Sequence, residues 1–315
     1  MQTNPTANLT KLNTRRLTAL GLCTMLAMGI LYPTDAAADK TTSILKNTKI
    51  EELSHKAKHR FAKVKGFTRR GERAQRFEIR HGDCGRTSGW NDCNNDRARV
   101  ERKERPKNVF SKPGKAVWYG YSIFVPKDFV SLGRSTTTLS QAKVEGELFP
   151  MWLTAFSDNP YILFSGGSTC NLPKLSTWRG RWSDITVYAN YAERGARVYF
   201  QFFRNGKLLC EHRKPLIPAS KQGKKQKIGF KYGIYNSWVS RYLAANATKP
   251  IPNQGFAQKN STGTTSKSAS ATPFKVDWGV KLPTHVIFYD EMLAGTRRED
   301  VDVRMREQRG LPPVD

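Results

Sequence analysis

Residues 197–212 read RVYFQFFRNGKLLCEH, and this stretch decides the fold class. Aromatic and aliphatic residues dominate both halves, and Asn205-Gly206 separates them. Asn-Gly between two such runs is the strongest short signal for a hairpin, because both residues accept the positive φ angles of a two-residue turn. The stretch therefore predicts two antiparallel strands joined by a tight turn.

Similar patterns recur on both sides of this hairpin. The recurring segments are rich in β-branched and aromatic residues, and turn residues bound most of them. They are RFEIRHGD from Arg76, VWYGYSIFVP from Val117, FPMWLTAF from Phe149, YILFSGG from Tyr161, SDITVYANY from Ser183, KIGFKYGIY from Lys227 and THVIFYDEML from Thr284. A comparable helical period appears only near the C-terminus. Many short antiparallel strands over this length predict an all-β jelly roll, a sandwich of two curved sheets.

The N-terminal residues 1–38 have the organisation of a secretory signal peptide. Lys11, Arg15 and Arg16 precede an apolar run over residues 17–32, and residues 36–38 are alanines that offer a cleavage site. The apolar run is too short for a comfortable transmembrane helix. We therefore predict a secreted or periplasmic protein without a membrane span.

The remaining chain divides by its pattern. Residues 39–75 are basic and weakly patterned, and we interpret them as an N-terminal arm with a short helix near residues 50–59. Residues 76–315 carry the strand-like segments and are predicted to form one domain. Within them, residues 244–273 are rich in Ala, Ser, Thr, Asn, Gly and Pro, so we expect a flexible insertion there.

Four cysteines follow the predicted signal peptide: Cys84, Cys93, Cys170 and Cys210. An even number of cysteines in an oxidising compartment predicts two disulfides. Of the possible connectivities we favour Cys84–Cys93 with Cys170–Cys210, because the first closes a loop too rich in glycine and asparagine to hold itself. A zinc site is disfavoured, since the sequence has no CxxC pair.

The formal net charge is +27, which indicates a polyanionic partner. Nucleic acid, anionic lipid and acidic polysaccharide all satisfy this charge. Export argues against nucleic acid as the main target and leaves anionic lipid and acidic polysaccharide open. We also predict a monomeric protein.

Four strand-like segments present chemically useful side chains on one face, since side chains in a strand alternate with period 2. They are Arg76/Glu78/Arg80, Arg97/Arg99/Glu101, Gln141/Lys143 and Lys231/Gly233/Tyr235. A sheet that presents all four would form a groove lined by cations, an amide and a phenol, with Gly233 leaving the space between Lys231 and Tyr235 empty. Taken singly, each is typical of a solvated ion pair or of strand packing.

Several of these segments also carry a family resemblance. RFEIRHGDC followed by DCNNDRARVERKE, then WYGYSIFVPKDF, LSQAK, GRWSDITVYANY, FFRNGKLL, FKYGIYNS and YDEMLAG, resembles in order the heparin lyase I-like polysaccharide lyases. The chain is also similar to jelly-roll alginate and glucuronan lyases. The resemblance covers about residues 76–295. It implies a concanavalin A-like jelly roll that cleaves uronate-containing polysaccharides by β-elimination.

The resemblance also implies roles for individual residues. Gln141 and Arg99 would neutralise the uronate carboxylate, and Tyr235 would be the acid, or both acid and base. The substrate-binding residues would be Lys231, Arg97, Arg80 and Arg76.

Lys143 stands where the family has histidine. An ordinary lysine titrates near 10.4, so Lys143 acts as a base only if its surroundings lower its pKa. Three alternatives therefore remain: Tyr235 performs both proton transfers, Lys143 is the base, or the protein binds polysaccharide without cleaving it. His81, His212 and His285 are interpreted as ordinary residues, with His81 the one to examine for proximity to Tyr235.

The chemistry that the resemblance implies needs no metal or organic cofactor. Calcium is an alternative at the Cys84–Cys93 loop, where oxygen donors cluster. These donors are Asp83, Asp92, Asn94, Asn95 and Asp96. The competing interpretation is a turn-rich loop held by local hydrogen bonds.

Overall fold

Strands dominate the computed structural model, which describes residues 41–105, 110–145, 147, 150–224, 226–250 and 272–314. The strands are β1 (Thr42–Ser43), β2 (Thr48–Ile50), β3 (Phe61–Lys65), β4 (Arg73–Ile79), β5 (Arg86–Thr87), β6 (Trp90–Asn91), β7 (Arg97–Glu104), β8 (Ala116–Val125), β9 (Thr136–Val144), β10 (Trp152–Phe156), β11 (Tyr161–Phe164), β12 (Thr169–Asn171), β13 (Arg181–Asn190), β14 (Phe200–Arg204), β15 (Lys207–His212), β16 (Ile228–Ser237) and β17 (His285–Gly295). The α-helices in the described residues are α1 (Ile44–Asn47), α2 (Val239–Ala245) and α3 (Val303–Gln308). The predicted all-β class is confirmed.

Two large antiparallel sheets form the sandwich. The back sheet has the strand order β15-β14-β13-β8-β17-β4-β3, with β1 also paired to β17. The front sheet has the order β12-β11-β10-β9-β16-β7-β2. Strands distant in sequence are neighbours in both sheets, as a jelly roll requires. The short strands β5 and β6 pair with each other inside the Cys84–Cys93 loop.

Large aromatic side chains fill the space between the sheets. Tyr119 of the back sheet stacks on Phe230 of the front sheet with ring centroids 4.5 Å apart. Along β16, Phe230, Tyr232 and Ile234 are fully buried in this core. Because side chains alternate along a strand, Lys231 and Tyr235 lie on the opposite, outward face of the front sheet.

Gly233 has a role that differs from the predicted one. Its φ is +139°, and the pairing of β16 with β9 shifts register between Tyr232 and Tyr235. A Cβ at Gly233 would lie 2.3 Å from the Val100 carbonyl oxygen. Glycine is therefore required by the backbone of this bulge rather than to empty a space between two side chains.

The N-terminal segment is part of the sandwich, which corrects the interpretation of residues 39–75 as an arm. β1 pairs with β17, β2 pairs with β7 and β3 pairs with β4. An unpaired sheet edge is unfavourable, and β2 and β3 cover one edge of each sheet. No α-helix lies at residues 50–59; the described helix is α1, immediately before β2.

The predicted hairpin and both predicted disulfides are confirmed. Asn205 and Gly206 have φ angles of 51° and 82° and join β14 to β15. Cys84 and Cys93 are bonded, and so are Cys170 and Cys210. Since β12 and β15 are edge strands of different sheets, Cys170–Cys210 ties the two sheets together.

Two predictions fall wholly or largely outside the described residues. They are the signal peptide over residues 1–38 and most of the insertion, residues 251–271. Residues 244 and 245 of the predicted insertion lie in α2. Within the described part of the chain, no helix has the length and apolar character needed to cross a membrane.

Candidate functional site

Three adjacent strands of the front sheet bring the predicted site residues together. Tyr235 lies opposite Arg99, and Gly233 lies opposite Glu101 of β7. On the other side of β16, Lys231 lies opposite Gln141 of β9, and Gly229 lies opposite Lys143. We call this outward surface the polar face, and define it by Arg97, Arg99, Glu101, Gln141, Lys143, Lys231 and Tyr235.

Tyr235 lies between two guanidinium groups. Arg97 Nε donates a 2.6 Å hydrogen bond to the Tyr235 hydroxyl, and the Arg99 guanidinium carbon lies 4.3 Å from the centre of its ring. Burial raises the pKa of Tyr235, although Arg99 and Arg97 act in the opposite direction. The neutral phenol is therefore favoured, because the cost of burying the charged form exceeds the attraction of the two cations.

Arg99 is fixed by a carboxylate from the disulfide loop. Its Nε and Nη2 each donate a 2.7 Å hydrogen bond to Asp92, a bidentate geometry. Its Nη1 lies 3.9 Å from Glu51 and from Glu101. The orientation of Arg99 therefore depends on where the Cys84–Cys93 loop places Asp92.

Gln141 and Glu101 meet across β16. The Gln141 side-chain amide donates a 2.6 Å hydrogen bond to Glu101. Burial raises the pKa of Glu101 to about 7, while Lys231 acts in the opposite direction. The pair connects β7 to β9 and so fixes the amide that was predicted to face the substrate carboxylate.

The two lysines of the polar face differ in their partners. Lys231 is buried and forms an ion pair with Glu51. Lys143 is half-buried, and burial together with Lys231 and Arg99 lowers its pKa to about 8. Among the described residues, no carboxylate lies within 4.0 Å of the side-chain nitrogens of Lys143 or Arg97. These two side chains are the cations of the polar face without a direct ion-pair partner.

Arg76 and Arg80 are not part of the polar face. Arg76 lies on β4 of the back sheet, and both arginines form ion pairs with Glu78. The prediction that they share a groove with Tyr235 is therefore wrong. The alternation of side chains correctly places Arg76, Glu78 and Arg80 on one face of a strand. The topology, however, puts β4 in the back sheet and not in the front sheet that carries Tyr235.

The three histidines named in the sequence analysis make structural contacts outside the polar face. His81 accepts a hydrogen bond from the Leu282 amide, and His212 stacks on Phe164. His285 is fully buried and bonds through Nε2 to a backbone carbonyl. Their interpretation as ordinary residues agrees with these contacts.

Comparison with known proteins identifies the family. A family model described as polysaccharide lyase matches residues 39–266, more than half of the chain. The chain belongs to the polysaccharide lyase family. A search of curated proteins finds no match.

Solved structures share the fold of this lyase at low identity. An endo-β-1,4-glucuronan lyase from the fungus Trichoderma reesei is 13% identical, with a TM-score of 0.51 and coverage of 83% of this chain and 97% of that chain. The family 7 alginate lyase AlgAT5 is 11% identical, with a TM-score of 0.46 and coverage of 79% and 94%. The family 7 alginate lyase A1-II' is 11% identical, with a TM-score of 0.47 and coverage of 80% and 96%. The family match confirms the predicted polysaccharide lyase at the level of the family, and the glucuronan lyase structure, with its TM-score of 0.51, supports the jelly roll at the level of the fold.

The acidic residues of the disulfide loop bind protein groups rather than one another. Both Asp92 oxygens bond to Arg99, and both Asp96 oxygens bond to Ser240. Asp83 accepts hydrogen bonds from the Arg80 amide and from His59. The three carboxylates of this loop are therefore committed to protein partners, which favours the competing interpretation of a loop held by local hydrogen bonds.

One other group of the lyase has the composition of a metal site. His55, His59 and Asp83 place one donor atom each within 4.8 Å of one another, the one such group among the described residues. The Asp83 carboxylate lies 2.7 Å from His59 Nε2 and 3.7 Å from His55 Nε2. Two imidazoles suit a transition metal better than calcium.

The sequence does not predict three residues around the polar face. It indicates Asp92 only as a candidate calcium ligand and places Glu51 in the N-terminal arm. Trp90, which lies 6.0 Å from the Arg97 guanidinium, has no predicted role. The position of Asp92 beside Cys93 was a usable signal, since a disulfide fixes its neighbours, whereas no local pattern marks Glu51 or Trp90.

Proposed function

We propose that this lyase cleaves a uronate-containing polysaccharide by β-elimination at the polar face, with Lys143 as the base and Tyr235 as the acid. One observation carries the proposal. In a member of the polysaccharide lyase family, three neighbouring strands hold a phenol, an amide, a guanidinium and a half-buried amine on one face.

The reaction requires these groups. The hydrogen on C5 of a uronate is weakly acidic while the adjacent carboxylate is charged, so the carboxylate must be neutralised. Gln141 and the Nη1 of Arg99, whose other nitrogens bond to Asp92, are assigned to this task. The base removes H5, the C4–O4 bond breaks as the C4–C5 double bond forms, and the acid protonates O4.

The displaced pKa values favour this division of labour. With a pKa of about 8, Lys143 is neutral in about a tenth of molecules near pH 7, far more than an ordinary lysine. The raised pKa of Tyr235 keeps its phenol protonated, as an acid must be. Burial thus supplies a neutral amine and a neutral phenol.

An activity assay with a substrate panel tests the proposal. Purified protein is incubated with glucuronan, alginate, heparin and polygalacturonate, and the absorbance of the unsaturated uronate product is followed. We expect product from at least one polymer, and its identity decides the substrate and whether heparin lyase I-like specificity holds. Binding without absorbance on every polymer would instead support a non-catalytic polysaccharide-binding protein.

Two variants test the assigned roles. We expect Tyr235→Phe and Lys143→Ala each to lose about 10²–10⁴-fold in activity, as the removal of a general acid or base does. Lys63→Ala is the matched control, since Lys63 is exposed on β3 of the back sheet. Full activity of Tyr235→Phe would contradict its assignment, and a dead Tyr235→Phe beside an active Lys143→Ala would mean that Tyr235 transfers both protons.

We also propose that the lyase acts outside the cytoplasm, in the periplasm or the medium. The signal-like residues 1–38 support this, and the two disulfides are consistent with it. Mass spectrometry of the exported protein is expected to find a chain that begins near residue 39. A chain that retains residue 1 in the cytoplasm would contradict export.

A further inference from the structure

Two tryptophans lie beside the Tyr235 end of the polar face. Trp90 belongs to β6 in the disulfide loop, and Trp238 directly follows β16. Both side chains are half-buried. The Arg97 guanidinium carbon lies 6.0 Å from the Trp90 ring and 4.9 Å from the Trp238 ring. Two aromatic surfaces from distant segments therefore meet at one cation.

Both tryptophans are held in place by specific contacts. Trp90 Nε1 donates a 2.8 Å hydrogen bond to Asp92, the residue that fixes Arg99. Trp238 has a φ of 60°, an unfavourable conformation for a bulky side chain. Its amide donates to the Asp96 carbonyl at 2.8 Å, and its carbonyl accepts a 2.6 Å bond from Ser135. These hydrogen bonds sustain a backbone conformation of the kind that collects at functional sites.

Arg97 joins this aromatic pair to the proposed chemistry. Its Nε donates to the Tyr235 hydroxyl at 2.6 Å. Within the described part of the chain, no carboxylate lies within 4.0 Å of its guanidinium nitrogens, unlike Arg99 with Asp92. Its hydrogen-bond acceptors, the Asn95 carbonyl and the Tyr235 hydroxyl, are neutral. A half-buried cation without a direct ion-pair partner favours an incoming anion.

We propose that Trp90, Arg97 and Trp238 form a sugar subsite that takes the uronate unit next to the bond being cleaved. Arg97 binds the carboxylate of that unit. The Trp238 ring also lies 5.1 Å from the Arg241 guanidinium carbon, so the exposed parts of the two half-buried indoles pack against the sugar ring. The inference rests on the proposed function, because it assigns a neighbouring unit of the same substrate. The subsite would distinguish uronate polymers from neutral ones, since a neutral sugar offers no negative charge to the Arg97 guanidinium.

Binding measurements in the Lys143→Ala background test the subsite, since this background removes the proposed base and keeps both indoles and the Tyr235 hydroxyl that accepts from Arg97. Isothermal titration with glucuronate and mannuronate tetrasaccharides gives the affinity. Adding Trp238→Gly, which tolerates the positive φ, is expected to weaken binding of at least one of them about tenfold. A neutral glucose tetrasaccharide is expected to bind weakly to both proteins.

Further variants separate a binding role from a folding role. Trp238→Asn also accepts a positive φ, and Trp90→Leu removes the second indole; both are expected to weaken binding as Trp238→Gly does. Trp182→Ala is the control, because Trp182 is half-buried on β13 of the back sheet. Thermal unfolding of each variant identifies any that do not fold.

The outcomes for the subsite and for the proposed function are distinct. Cleavage by the wild-type chain with unchanged tetrasaccharide affinity in folded Trp238 and Trp90 variants would overturn the subsite and leave the proposed function intact. A wild-type chain that cleaves no polymer, but whose oligouronate binding depends on Trp238, would overturn the lyase chemistry and support the subsite.

Discussion

At the residue scale, burial sets the protonation states on the polar face. It lowers the pKa of Lys143 and raises the pKa of Tyr235, because in each case it disfavours the charged form. Neutral Lys143 and neutral Tyr235 are the forms that the proposed base and acid need. In the proposed mechanism, Lys143 in place of the histidine that the resemblance implies would move the useful pH range upward.

Lys143→His is predicted to shift the pH dependence of cleavage. In the wild-type chain, activity should rise with pH through about 8, where Lys143 loses its proton. An imidazole titrates near 6.5, so the rising limb of the variant should move down by about one pH unit or more. The measurement is kcat against pH on the best polymer of the panel. An unmoved limb would mean that another group is the base.

Glu101 is predicted to make stability depend on pH. Its pKa in the folded chain is about 7, above the ordinary value of 4.5, so the fold favours the protonated form. The contribution of Glu101 to the free energy of unfolding is therefore complete below about pH 4.5 and is lost as the pH rises through about 7.

Glu101→Gln tests this dependence, because the amide keeps an oxygen for Gln141 and cannot ionise. The variant should lose less stability than the wild-type chain between about pH 5 and pH 8 in urea unfolding. Glu145→Gln is the control, since Glu145 is exposed and pairs with Lys103. Equal pH dependence in Glu101→Gln and the wild-type chain would show that Glu101 is not the group responsible.

At the scale of elements, three strands supply the reactive side chains and two other segments fix them. β7, β9 and β16 carry the polar face, while the disulfide loop contributes Asp92 to Arg99 and the segment after β2 contributes Glu51 to Lys231. The Glu51 amide donates to the Glu101 carbonyl at 2.8 Å, which holds that segment against β7. The positions of Arg99 and Lys231 thus depend on loops that lie outside the three strands.

The two disulfides are predicted to differ in what their loss affects. They close loops with sequence separations of 9 and 40 residues, which correspond to about 2.6 and 3.9 kcal/mol in the chain-entropy model. Replacing Cys170 and Cys210 by serine should lower the urea midpoint more. Replacing Cys84 and Cys93 should lower activity more, because their loop holds Asp92 on Arg99.

Each disulfide variant is the control for the other. Unfolding and kcat/KM are measured on both proteins under identical conditions. If the Cys84/Cys93 variant keeps full activity, Asp92 does not need the disulfide to orient Arg99.

At the scale of the whole molecule, the charge of +27 favours encounter with polyanions. Much of the local charge around the polar face is already compensated, as in the pairs Arg99–Asp92 and Lys231–Glu51. Long-range attraction and local recognition therefore contribute separately to substrate binding. Salt weakens the long-range attraction more than the local recognition, because buried charge pairs are screened less.

Salt is accordingly predicted to slow capture of long substrates more than turnover. Raising the salt from about 0.01 M to about 0.15 M shortens the Debye length from about 30 Å to about 8 Å. The kcat/KM for the polymer should fall several-fold while kcat stays nearly constant. A tetrasaccharide should respond less, since it carries fewer charges. An equal loss in kcat would mean that salt acts on the polar face itself.

The sequence by itself determined the strands, the hairpin and the outward faces. Asn205-Gly206 fixed a turn because few residues accept two positive φ angles, and period 2 placed Arg99 with Glu101 and Lys231 with Tyr235. The four cysteines also paired as predicted. The turn, the strand faces and the Cys84–Cys93 pair are local properties of the chain, whereas Cys170–Cys210 spans 40 residues and was predicted from the even number of cysteines.

Only the tertiary structure decided which faces share a surface. Arg76 and Arg80 have the same local pattern as Arg97 and Arg99, yet β4 joins the back sheet and β7 the front sheet. Glu51 and Trp90 reach the polar face from segments whose local sequence says nothing about it, and only the fold brings Asp92 from the disulfide loop to Arg99. The physical reason is that strand pairing, burial and the resulting pKa values depend on contacts between residues far apart in the chain, which no local period encodes.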